Sequence, residues 1–434
     1  MFDVSLLFLA SSMKPSHILS LVLAFAALFT PVASHAQEAR WWKGNLHTHT
    51  LWSDGDDYPE MVGAWYKTNG WNFLMLTDHN VLAQGERWLV ATNRGGGKVL
   101  DKYLAAYGKD WVEVRTNDLG KPEVRLKTFE EFSQKLNTPS QFLMIPGEEI
   151  SDKYKVAPIH INFTNPREVI KPQGGTSVLE VIQRNFDAVA AQRTATGQPM
   201  YAHLNHPNFR WGVTAEEMMP ARGMKFFEVY NGHPSVYNEG DGTHAGLEKV
   251  WDICLAHRLT SLKLDVLYGL GTDDSHNYQE IAIGKSNTGR GWVMVRAKEL
   301  TIAALIAALE AGDFYASSGV TLKDVQRKGG ELSLEVAAEP GVEYTIEFIG
   351  TKHGFDPRSE PVRAANGEAL RVTHRYSDDI GKVFSTVKGT KASYKLQADD
   401  IYVRARISST KVKVNPYREG EFEQAWVQPL VNTK

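Results

Sequence analysis

The segment Leu46-His47-Thr48-His49-Thr50 begins the patterned part of this sequence, and Ser53-Asp54-Gly55 follows it closely. The alternation of side chains along a strand places His47 and His49 on one face of the predicted strand Asn45–Thr50. Two imidazoles on one face suit a borderline divalent ion such as zinc, manganese or iron. A His-x-His pair is weak evidence for a metal by itself, so the interpretation depends on further ligands along the chain.

Five later segments carry histidines or carboxylates in a predicted strand or just after one. They are Thr77-Asp78-His79-Asn80, Gly147-Glu148-Glu149-Ile150-Ser151, His160, His203-Leu204-Asn205-His206-Pro207 and Thr272-Asp273-Asp274-Ser275-His276. In a β/α barrel, the catalytic residues converge at the carboxyl ends of the strands. The repeated coincidence of ligand type and position therefore predicts a metal cluster at one end of a sheet.

Short apolar runs with the character of β-strands alternate with helical patterns over most of the chain. The predicted strands are Asn45–Thr50, Asn72–Thr77, Phe142–Pro146, Ile159–Phe163, Met200–Leu204, Phe226–Tyr230, Val266–Leu270 and Trp292–Val295. Helices are predicted for Tyr58–Asn69, for a segment that starts at the capping box Thr128-Phe129-Glu130-Glu131, and for Glu299–Ala311. Alternating strands and helices predict an α/β fold with a parallel sheet, either open or closed into a barrel.

Two further regions are set apart by their patterns. The segment 81–140 is long for a connection, and we expect either a lid over a barrel mouth or an insertion without a functional role. After residue 319, several runs alternate polar and apolar residues, namely Glu331–Val336, Glu343–Phe348, Leu370–His374, Ser393–Gln397 and Ile401–Ile407. These patterns predict one domain over 41–318, with alternating strands and helices and the insertion 81–140, followed by a small antiparallel β-sandwich over 319–434.

Composition excludes several classes of protein. The 434 residues carry a net charge of −3, whereas a nucleic-acid-binding protein is expected to have a basic patch and a high pI. Cys254 is the one cysteine, so the chain forms no intramolecular disulfide and no cysteine-rich zinc site. We therefore expect no nucleic-acid polymer as a partner, and the sequence does not indicate an oligomeric state.

Residues 1–36 have the pattern of a secretory signal peptide. Lys14 precedes the apolar run 18–29, Pro31 interrupts the pattern, and small residues follow up to Ala36. We expect cleavage after Ala36, with Met13 as the alternative start of the chain. An uncleaved anchor is the competing interpretation, although the apolar run is short for a membrane span. The processed protein is predicted to be periplasmic or secreted, without membrane attachment.

Taken together, the motifs resemble those of the PHP (polymerase and histidinol phosphatase) family. The likeness is carried by Leu46–Thr50 with Ser53-Asp54-Gly55, Thr77–Asn80, Gly147–Ser151, Asn205-His206-Pro207 and Asp274-Ser275-His276. Export and a C-terminal β-module make the chain most similar to the secreted CehA/McbA-like branch, which includes enzymes that cleave carbamate esters. The resemblance covers roughly residues 44–318. It implies a distorted (β/α)7 barrel that holds two or three divalent metal ions.

By this resemblance, the expected metal ligands are His47, His49, Asp54, His79, Glu149, His160, His206, Asp274 and His276. The register of the family motif selects Glu149 as the carboxylate that bridges the metals. Glu148, Asp273 and His203 lie next to expected ligands and remain competitors. The identity of the metal stays open between zinc, manganese and iron, because histidine and carboxylate sites accept several ions. An amidohydrolase barrel also begins with His-x-His, but its bridging lysine and single late aspartate do not match these motifs.

Such a cluster predicts a hydrolase that activates water for attack on a small-molecule ester. We expect Glu149 to act as the metal bridge, and Asp78 either to orient a ligand or to accept a proton. Arg210 is a candidate for binding a phosphate, or else a surface arginine stacked on Trp211. His233 is a candidate general acid for the leaving group, or else a loop histidine that caps a turn.

Three functions compete for this sequence. Hydrolysis of phosphomonoesters or phosphodiesters is favoured, because it is the dominant chemistry of the family that the motifs resemble. Hydrolysis of carboxylic or carbamate esters is the second, motivated by the secreted branch and by the tryptophans near the site. A metal-containing binding protein without catalysis is the third, and it predicts missing ligands, whereas every expected position is filled.

Overall fold

The computed structural model describes residues 38–91 and 97–433. The predicted signal peptide over 1–36 lies outside the described residues. The strands are β1 Arg40–Asn45, β2 Phe73–Leu76, β3 Trp88–Val90, β4 Val114–Thr116, β5 Pro122–Arg125, β6 Leu143–Tyr154, β7 Ala157–Thr164, β8 Tyr201–Leu204, β9 Phe226–Asn231, β10 Tyr268–Thr272, β11 Trp292–Ala297, β12 Phe314–Ser317, β13 Leu322–Lys328, β14 Glu331–Val336, β15 Tyr344–Lys352, β16 Ser359–Glu360, β17 Arg375–Tyr376, β18 Lys382–Lys388, β19 Lys391–Lys395, β20 Asp400–Val412 and β21 Phe422–Val431. The helices are α1 Pro59–Thr68, α2 Gly97–Tyr107, α3 Phe129–Leu136, α4 Val178–Thr196, α5 Ala215–Met218, α6 Leu247–Leu259 and α7 Ile302–Glu310. None of these helices has the length and hydropathy needed to cross a membrane.

Thirteen strands form one mixed sheet, in the order β10-β9-β8-β7-β6-β2-β1-β11-β12-β21-β20-β15-β18. Strands β1, β2 and β6 are parallel neighbours, and so are β8, β9 and β10. The remaining neighbours in this sheet are antiparallel. The chain is therefore a mixed α/β protein, and the wholly parallel sheet predicted from the alternation of strands and helices is wrong.

The departure from a parallel sheet begins at the hairpin of β6 and β7. Only Lys155 and Val156 separate the two strands, so no helix crosses over and the pair is antiparallel. Lys155 has a φ of 54°, the left-handed conformation that tight hairpin turns use. β6 also extends well beyond the predicted strand Phe142–Pro146, because the polar motif Gly147–Ser151 lies within the strand and not after it.

His47 and His49 lie after β1 and not on a regular strand as predicted. The chain stays extended there, with a single β-bridge between Thr48 and Ser275. The His49 N–H donates to the Ser275 carbonyl over 2.9 Å, and the Asp274 N–H donates to the His47 carbonyl over 3.0 Å. These hydrogen bonds join the segment after β1 to the segment after β10, so two distant motifs meet at one end of the sheet.

Capping residues set the starts of the helices. The predicted capping box of α3 is confirmed, because the Thr128 side chain accepts the Glu131 N–H and the Glu131 carboxylate accepts the Thr128 N–H over 2.8 Å. α7 begins at Ile302 and not at Glu299 as predicted, since Thr301 is its N-cap and accepts an N–H of the first turn. In both helices, the N-cap threonine therefore locates the first helical residue more accurately than the apolar pattern does.

The insertion packs against the segment 50–58, which carries the first acidic ligand motif. It contains α2, α3 and a small sheet with the strand order β3-β5-β4. Tyr103 of α2 shares a buried apolar cluster with Leu51 and Trp52. The Trp52 indole N–H donates to the Lys127 carbonyl over 3.0 Å. The insertion thus supports this segment from one side, and its role as a lid stays a prediction.

The C-terminal strands continue the large sheet. β12 pairs with β21, so strands from both sides of the predicted boundary at 318 and 319 share one sheet. β13, β14 and β19 form a second sheet, whose Leu332 joins Phe348 of the large sheet in one buried cluster. The predicted strand Leu370–His374 is wrong, because this segment bonds to the region of α5 instead of to a strand. The described residues from 39 onward form one compact unit, and the domain boundary stays a prediction.

A buried ion pair connects α6 to the C-terminal strand β20. The Arg404 guanidinium donates to the Asp252 carboxylate over 2.6 and 2.8 Å, and the two side chains are 1 % and 4 % exposed. The same guanidinium donates to Glu248 over 2.9 Å, and the Tyr402 hydroxyl donates to Asp252 over 2.8 Å. Burial opposes the charge on Arg404, but the two carboxylates outweigh it and raise the pKa of Arg404 above its usual value.

Replacing Arg404 with methionine should destabilise the protein by about 3–5 kcal/mol, because the Asp252 carboxylate is then buried without a cation. Urea unfolding or differential scanning calorimetry measures this loss. The matched control is Arg358→Met, which removes an exposed arginine paired with Asp356 and should change the unfolding temperature little. Equal destabilisation in the two variants would contradict a structural role for the buried pair.

Candidate metal centre

Glu149 of β6 lies at the centre of the predicted ligands. Its side chain is 1 % exposed, and five histidines surround its carboxylate. The distances from its oxygens to the nearest ring nitrogens are 2.8 Å to His79, 2.9 Å to His160, 3.2 Å to His49, and 3.5 Å to both His47 and His206. A single buried carboxylate with this many imidazole neighbours is the arrangement expected of a group that bridges metal ions.

Local packing brings Glu149 to this position. A Cβ at Gly147 would lie 2.7 Å from the Leu76 carbonyl oxygen, so only glycine allows β6 to approach β2 this closely. The approach continues in a β-bridge between His79 and Glu149. The Asn205 side-chain amide donates to Glu149 Oε1 over 2.8 Å and fixes the orientation of the carboxylate.

Asp274 contacts the histidine pair from a second direction. Its Oδ1 lies 3.2 Å from His47 Nε2 and 3.3 Å from His49 Nε2, and these two ring nitrogens are 3.2 Å apart. Asp274 has a φ of 51°, a left-handed conformation that is uncommon for a residue with a side chain. The Asn231 amide donates to Asp274 Oδ2 over 3.2 Å. Strained residues held by their neighbours cluster at functional sites, and Asp274 follows that pattern.

Asp54 forms the solvent side of the cluster, where its side chain is 43 % exposed. Its carboxylate oxygens lie 3.3 Å from His276 Nε2, 3.4 Å from His79 Nε2 and 3.5 Å from His49 Nδ1. Burial alone would raise the pKa of Asp54, but hydrogen bonds to His276 and His79 hold it below its usual value. Asp54 is therefore an ionised carboxylate that faces both the histidines and the solvent.

Asp78 supports the loop that carries Asp54. Its carboxylate accepts the N–H and the hydroxyl of Thr50 over 2.8 Å, and the hydroxyl of Ser53 over 2.6 Å. The side chain is buried, and both of its oxygens are used in these bonds. This placement suits the orienting role better than the role of proton acceptor, and the role itself stays a prediction.

Charge pairing controls the protonation of the cluster. Burial alone would raise the pKa of Glu149, but the charges of His79 and His47 hold it well below its usual value. Burial alone would lower the pKa of His79, but Glu149 and Asp54 raise it to about 11. The pKa values of His47 and His276 are raised in the same way by neighbouring carboxylates. Without a bound cation, the His79 imidazole therefore holds a proton at neutral pH, and the shifts at His47 and His276 favour protonation as well.

The donor atoms are close enough together to share metal ions. Four groups place one donor atom per residue within 4.8 Å of the others: His49, Asp54, His79 and His276; His47, His49 and Asp274; His47, His206 and Glu228; and His79, Glu149 and His160. Glu149 Oε2 is buried and lies 2.8 Å from His79 Nδ1 and 3.2 Å from His49 Nε2, so it faces the ring nitrogens of two predicted ligands. Imidazoles mixed with carboxylates fit zinc, manganese or iron. Every predicted ligand falls in one of these groups.

Glu228 belongs to the cluster, and the sequence analysis missed it. Its Oε1 lies 2.7 Å from His47 Nδ1, while its Oε2 accepts the His206 N–H and the Asn231 amide, each over 2.8 Å. A carboxylate bonded to Nδ1 leaves Nε2 of the same histidine free to face a metal. The available signal was a glutamate inside the apolar strand Phe226-Phe227-Glu228-Val229-Tyr230, which is fully buried.

The three competing residues lie outside the four donor groups. Glu148 accepts the Ile170 N–H over 2.9 Å, and burial raises its pKa to about 7. Asp273 accepts the backbone N–H groups of residues 289–291 over 2.6 to 2.7 Å and so holds a loop. His203 is buried beside the cluster, and burial lowers its pKa. The four groups thus contain Glu149, Asp274 and His206, and none of these three competitors.

His233 lies at the rim of the cluster. Its ring centre is 5.7 Å from that of His276 and 5.6 Å from that of Phe209. Its Nδ1 accepts the Ser235 N–H over 3.0 Å, which leaves the ring hydrogen on Nε2. Burial lowers the pKa of His233 to about 4, so the imidazole is neutral at pH 7.

Arg210 is exposed and lies four residues after His206. Its guanidinium carbon is 5.3 Å from the centre of the Phe209 ring. Trp211 instead stacks on His244, with ring centres 3.8 Å apart. Among the described residues, Arg210 forms no ion pair with a carboxylate, so its charge is free to meet an anion at the rim.

Comparisons with known proteins find distant structural similarity. No protein-family model matches this chain, and no curated protein matches it. A two-domain protein from Bacteroides vulgatus, which contains a predicted PHP-like metal-dependent phosphoesterase, is similar at 17 % identity and a TM-score of 0.39, over 88 % of this chain and 93 % of that one. A protein from Bifidobacterium adolescentis that is assigned as a metal-dependent phosphoesterase is similar at 13 % identity and a TM-score of 0.30, over 58 % of this chain and 91 % of that one. Similarities with TM-scores below 0.5 do not identify the activity of this chain.

Glu149→Gln should weaken the binding of divalent metal by about tenfold or more, because it removes the charge that five histidines contact. Glu148→Gln is the matched control and should keep the metal, since Glu148 faces other partners. Metal content after equilibration with zinc or manganese is read by mass spectrometry, and thermal unfolding verifies that both variants are folded. Equal metal content in the two variants would contradict the central role of Glu149.

Metal binding should release protons and should strengthen as the pH rises. His79, with a pKa of about 11, is protonated at pH 7, so an entering cation must displace its proton, and the raised pKa values of His47 and His276 act in the same direction. Calorimetric titrations in buffers of different ionisation enthalpy give the number of protons released, which should be about one or more per ion. The interpretation fails if no proton is released and the affinity is the same at low and high pH.

Proposed function

We propose that this protein is a metal-dependent hydrolase of ester bonds that acts preferentially on phosphoesters. The observation that carries the proposal is the Glu149 carboxylate, which lies among five histidines. The surrounding donor groups overlap, because His47, His49 and His79 each belong to two of them. Overlapping groups suit two or three divalent ions held close together, an arrangement that serves hydrolysis by activated water.

The finer architecture is part of the same proposal. Strands β10-β9-β8-β7-β6-β2-β1 are consecutive in the sheet, and the bridge between Thr48 and Ser275 connects the segments that follow the two outer strands of this run, β1 and β10. This connection supports a closed (β/α)7-type barrel of the PHP kind, with its ligands at one end. The apolar cluster shared by the two C-terminal sheets supports a β-sandwich. Export to the periplasm or the exterior, and membership of the secreted branch, rest on the sequence pattern.

Residues of this chain would orient the metal ligands and the loop that faces the substrate. Divalent ions, when bound, supply a Lewis acid and lower the pKa of a coordinated water. Glu149 orients the histidines around it, and Glu228 fixes the Nδ1 of His47 so that Nε2 faces the cluster. Asp78 holds the loop that presents Asp54 to the solvent side.

His233 would act at the rim as a hydrogen-bond donor. Its lowered pKa keeps the ring neutral at pH 7, and bound cations would lower that pKa further. A neutral ring with its hydrogen on Nε2 can stabilise a leaving-group oxygen. It does not hold the extra proton that an imidazolium general acid needs at that pH.

The position of Arg210 supports the proposal that the substrate is an anion. It lies on the segment that follows His206, close to the ring of Phe209, and its guanidinium has no carboxylate partner among the described residues. A guanidinium fork matches the oxygens of a phosphate. This observation favours small-molecule phosphoesters over neutral esters.

Carboxylic or carbamate ester hydrolysis is the second candidate, because the rim is also aromatic. The ring centre of Phe209 lies 5.0 Å from that of His206 and 6.0 Å from that of His160. An apolar ring this close to the ligands suits an aromatic leaving group. The two candidates use the same metal ligands and differ in the charge of the substrate.

With manganese or zinc restored, the purified protein should release p-nitrophenol from p-nitrophenyl phosphate or bis(p-nitrophenyl) phosphate, and chelation should abolish the activity. Arg210→Gln should raise KM for these anions about tenfold while leaving the hydrolysis of neutral naphthyl acetate unchanged. Absorbance assays measure both reactions. A metal-loaded protein that ignores phosphate esters and cleaves naphthyl acetate or a naphthyl carbamate establishes the second candidate, and full activity after chelation contradicts both.

A further inference from the structure

The segment 209–212 contains two consecutive non-glycine residues in the left-handed conformation. The φ angles are 49° at Arg210 and 56° at Trp211. This conformation is unfavourable for a residue with a side chain, and it persists where the surroundings hold it. The contacts that hold this segment therefore determine where Arg210 is placed.

Arg371, from the C-terminal region, bonds directly to this segment. Its guanidinium donates to the Trp211 carbonyl over 3.1 Å and to the Gly212 carbonyl over 2.6 Å. The same guanidinium pairs with Glu217 of α5 over 2.7 and 3.0 Å. Nearby, the Thr373 hydroxyl accepts a backbone N–H from the start of α5 over 3.0 Å. One arginine thus ties two consecutive carbonyls of a strained segment to a fixed helix.

The ring of Trp211 is held independently of its carbonyl. It stacks on His244 with ring centres 3.8 Å apart, and on Tyr237 with ring centres 4.7 Å apart. The Tyr237 carbonyl accepts from the Asn208 amide over 2.9 Å, which anchors the start of the segment. Trp211 is therefore fixed through both its ring and its backbone, while the side chain of Arg210 remains exposed.

Phe209 connects this segment to the metal ligands. Its ring centre lies 5.0 Å from that of His206 and 5.6 Å from that of His233. The guanidinium carbon of Arg210 lies 5.3 Å from the same ring. A change of backbone conformation at 209–212 would move Phe209 and Arg210 together relative to the ligands.

We propose that Arg371 is a positioning residue of the substrate site: it holds the strained segment 209–212 so that Arg210 and Phe209 face an anionic ester. The substrate in this proposal rests on the proposed function, whereas the conformational part does not. The C-terminal region thereby takes part in substrate recognition. The Arg371 side chain is 44 % exposed, so a substitution there leaves the core intact.

Kinetics of three variants test the effect on substrate binding. Arg371→Met should raise KM for bis(p-nitrophenyl) phosphate about three- to tenfold, with little change in kcat or metal content. Arg371→Lys should recover only part of this loss, because one ammonium cannot reproduce the fork of the guanidinium. Arg363→Met is the matched control, since Arg363 is an exposed arginine of the same region that donates to the Gly367 carbonyl, and its loss should leave KM unchanged.

A double variant separates positioning from a general structural effect. If Arg371 acts through the segment 209–212, then Arg371→Met should raise KM less in an Arg210→Gln background than in the wild type. A merely structural role would add its own effect to that of Arg210→Gln. Additive effects, an unchanged KM in an active protein, or loss of metal from Arg371→Met would overturn the proposal.

Limited trypsin digestion tests the conformation without any activity. Trypsin cleaves after arginine, so the 210–211 bond should be cut faster in Arg371→Met than in the wild type or in Arg363→Met, with the cleavage site identified by mass spectrometry. If no phosphate ester is turned over, the proposed function fails. The digestion then decides alone: faster cleavage at this bond supports the positioning role, and unchanged cleavage overturns it.

Discussion

The buried charge of Glu149 constrains the whole structure, because an ionised carboxylate is stable in an interior only when opposite charge surrounds it. The five histidines that meet this need come from segments that follow β1, β2 and β8 and from β7 itself. These segments must therefore converge at one end of the sheet, around Glu149. The absent side chain at Gly147 and the bridge from Thr48 to Ser275 are the local features that bring them together.

Glu148 and Glu149 are adjacent in sequence, and they show that the surroundings of a carboxyl group determine its pKa. Both are buried, yet the pKa of Glu149 is held well below its usual value, whereas burial raises the pKa of Glu148 to about 7. The difference is that imidazoles face Glu149, while Glu148 accepts a single hydrogen bond from the backbone N–H of Ile170. Their order along a strand turns them to opposite sides. Charge that would be costly on one side of β6 is therefore stabilised on the other.

The ligand positions could be predicted from the sequence because a polar residue at the end of an apolar run is a local signal. The features that were missed depend on contacts between distant residues. Glu228 lies inside an apolar strand, and only the position of His47 shows what it does. The loss of the predicted strand Leu370–His374 depends on its hydrogen bonds to the region of α5, which no local pattern encodes. The fold class was therefore predictable as α/β, whereas the direction of the strands was not.

Burial divides the cluster into an inner part and an outer part, and in the proposed hydrolase this division would separate metal binding from substrate choice. The side chains of His47, His49 and Glu149 are at most 1 % exposed, whereas Asp54 is 43 % and His79 is 26 % exposed, so solvent reaches the cluster from the side of Asp54. The inner donors lie on or beside strands of the large sheet. The rim is supported by the insertion, which packs on 50–58, and by the C-terminal region, which bonds to 209–212. In the proposed hydrolase, changes in either region would therefore alter which ester is bound while the predicted metal ligands stay in place.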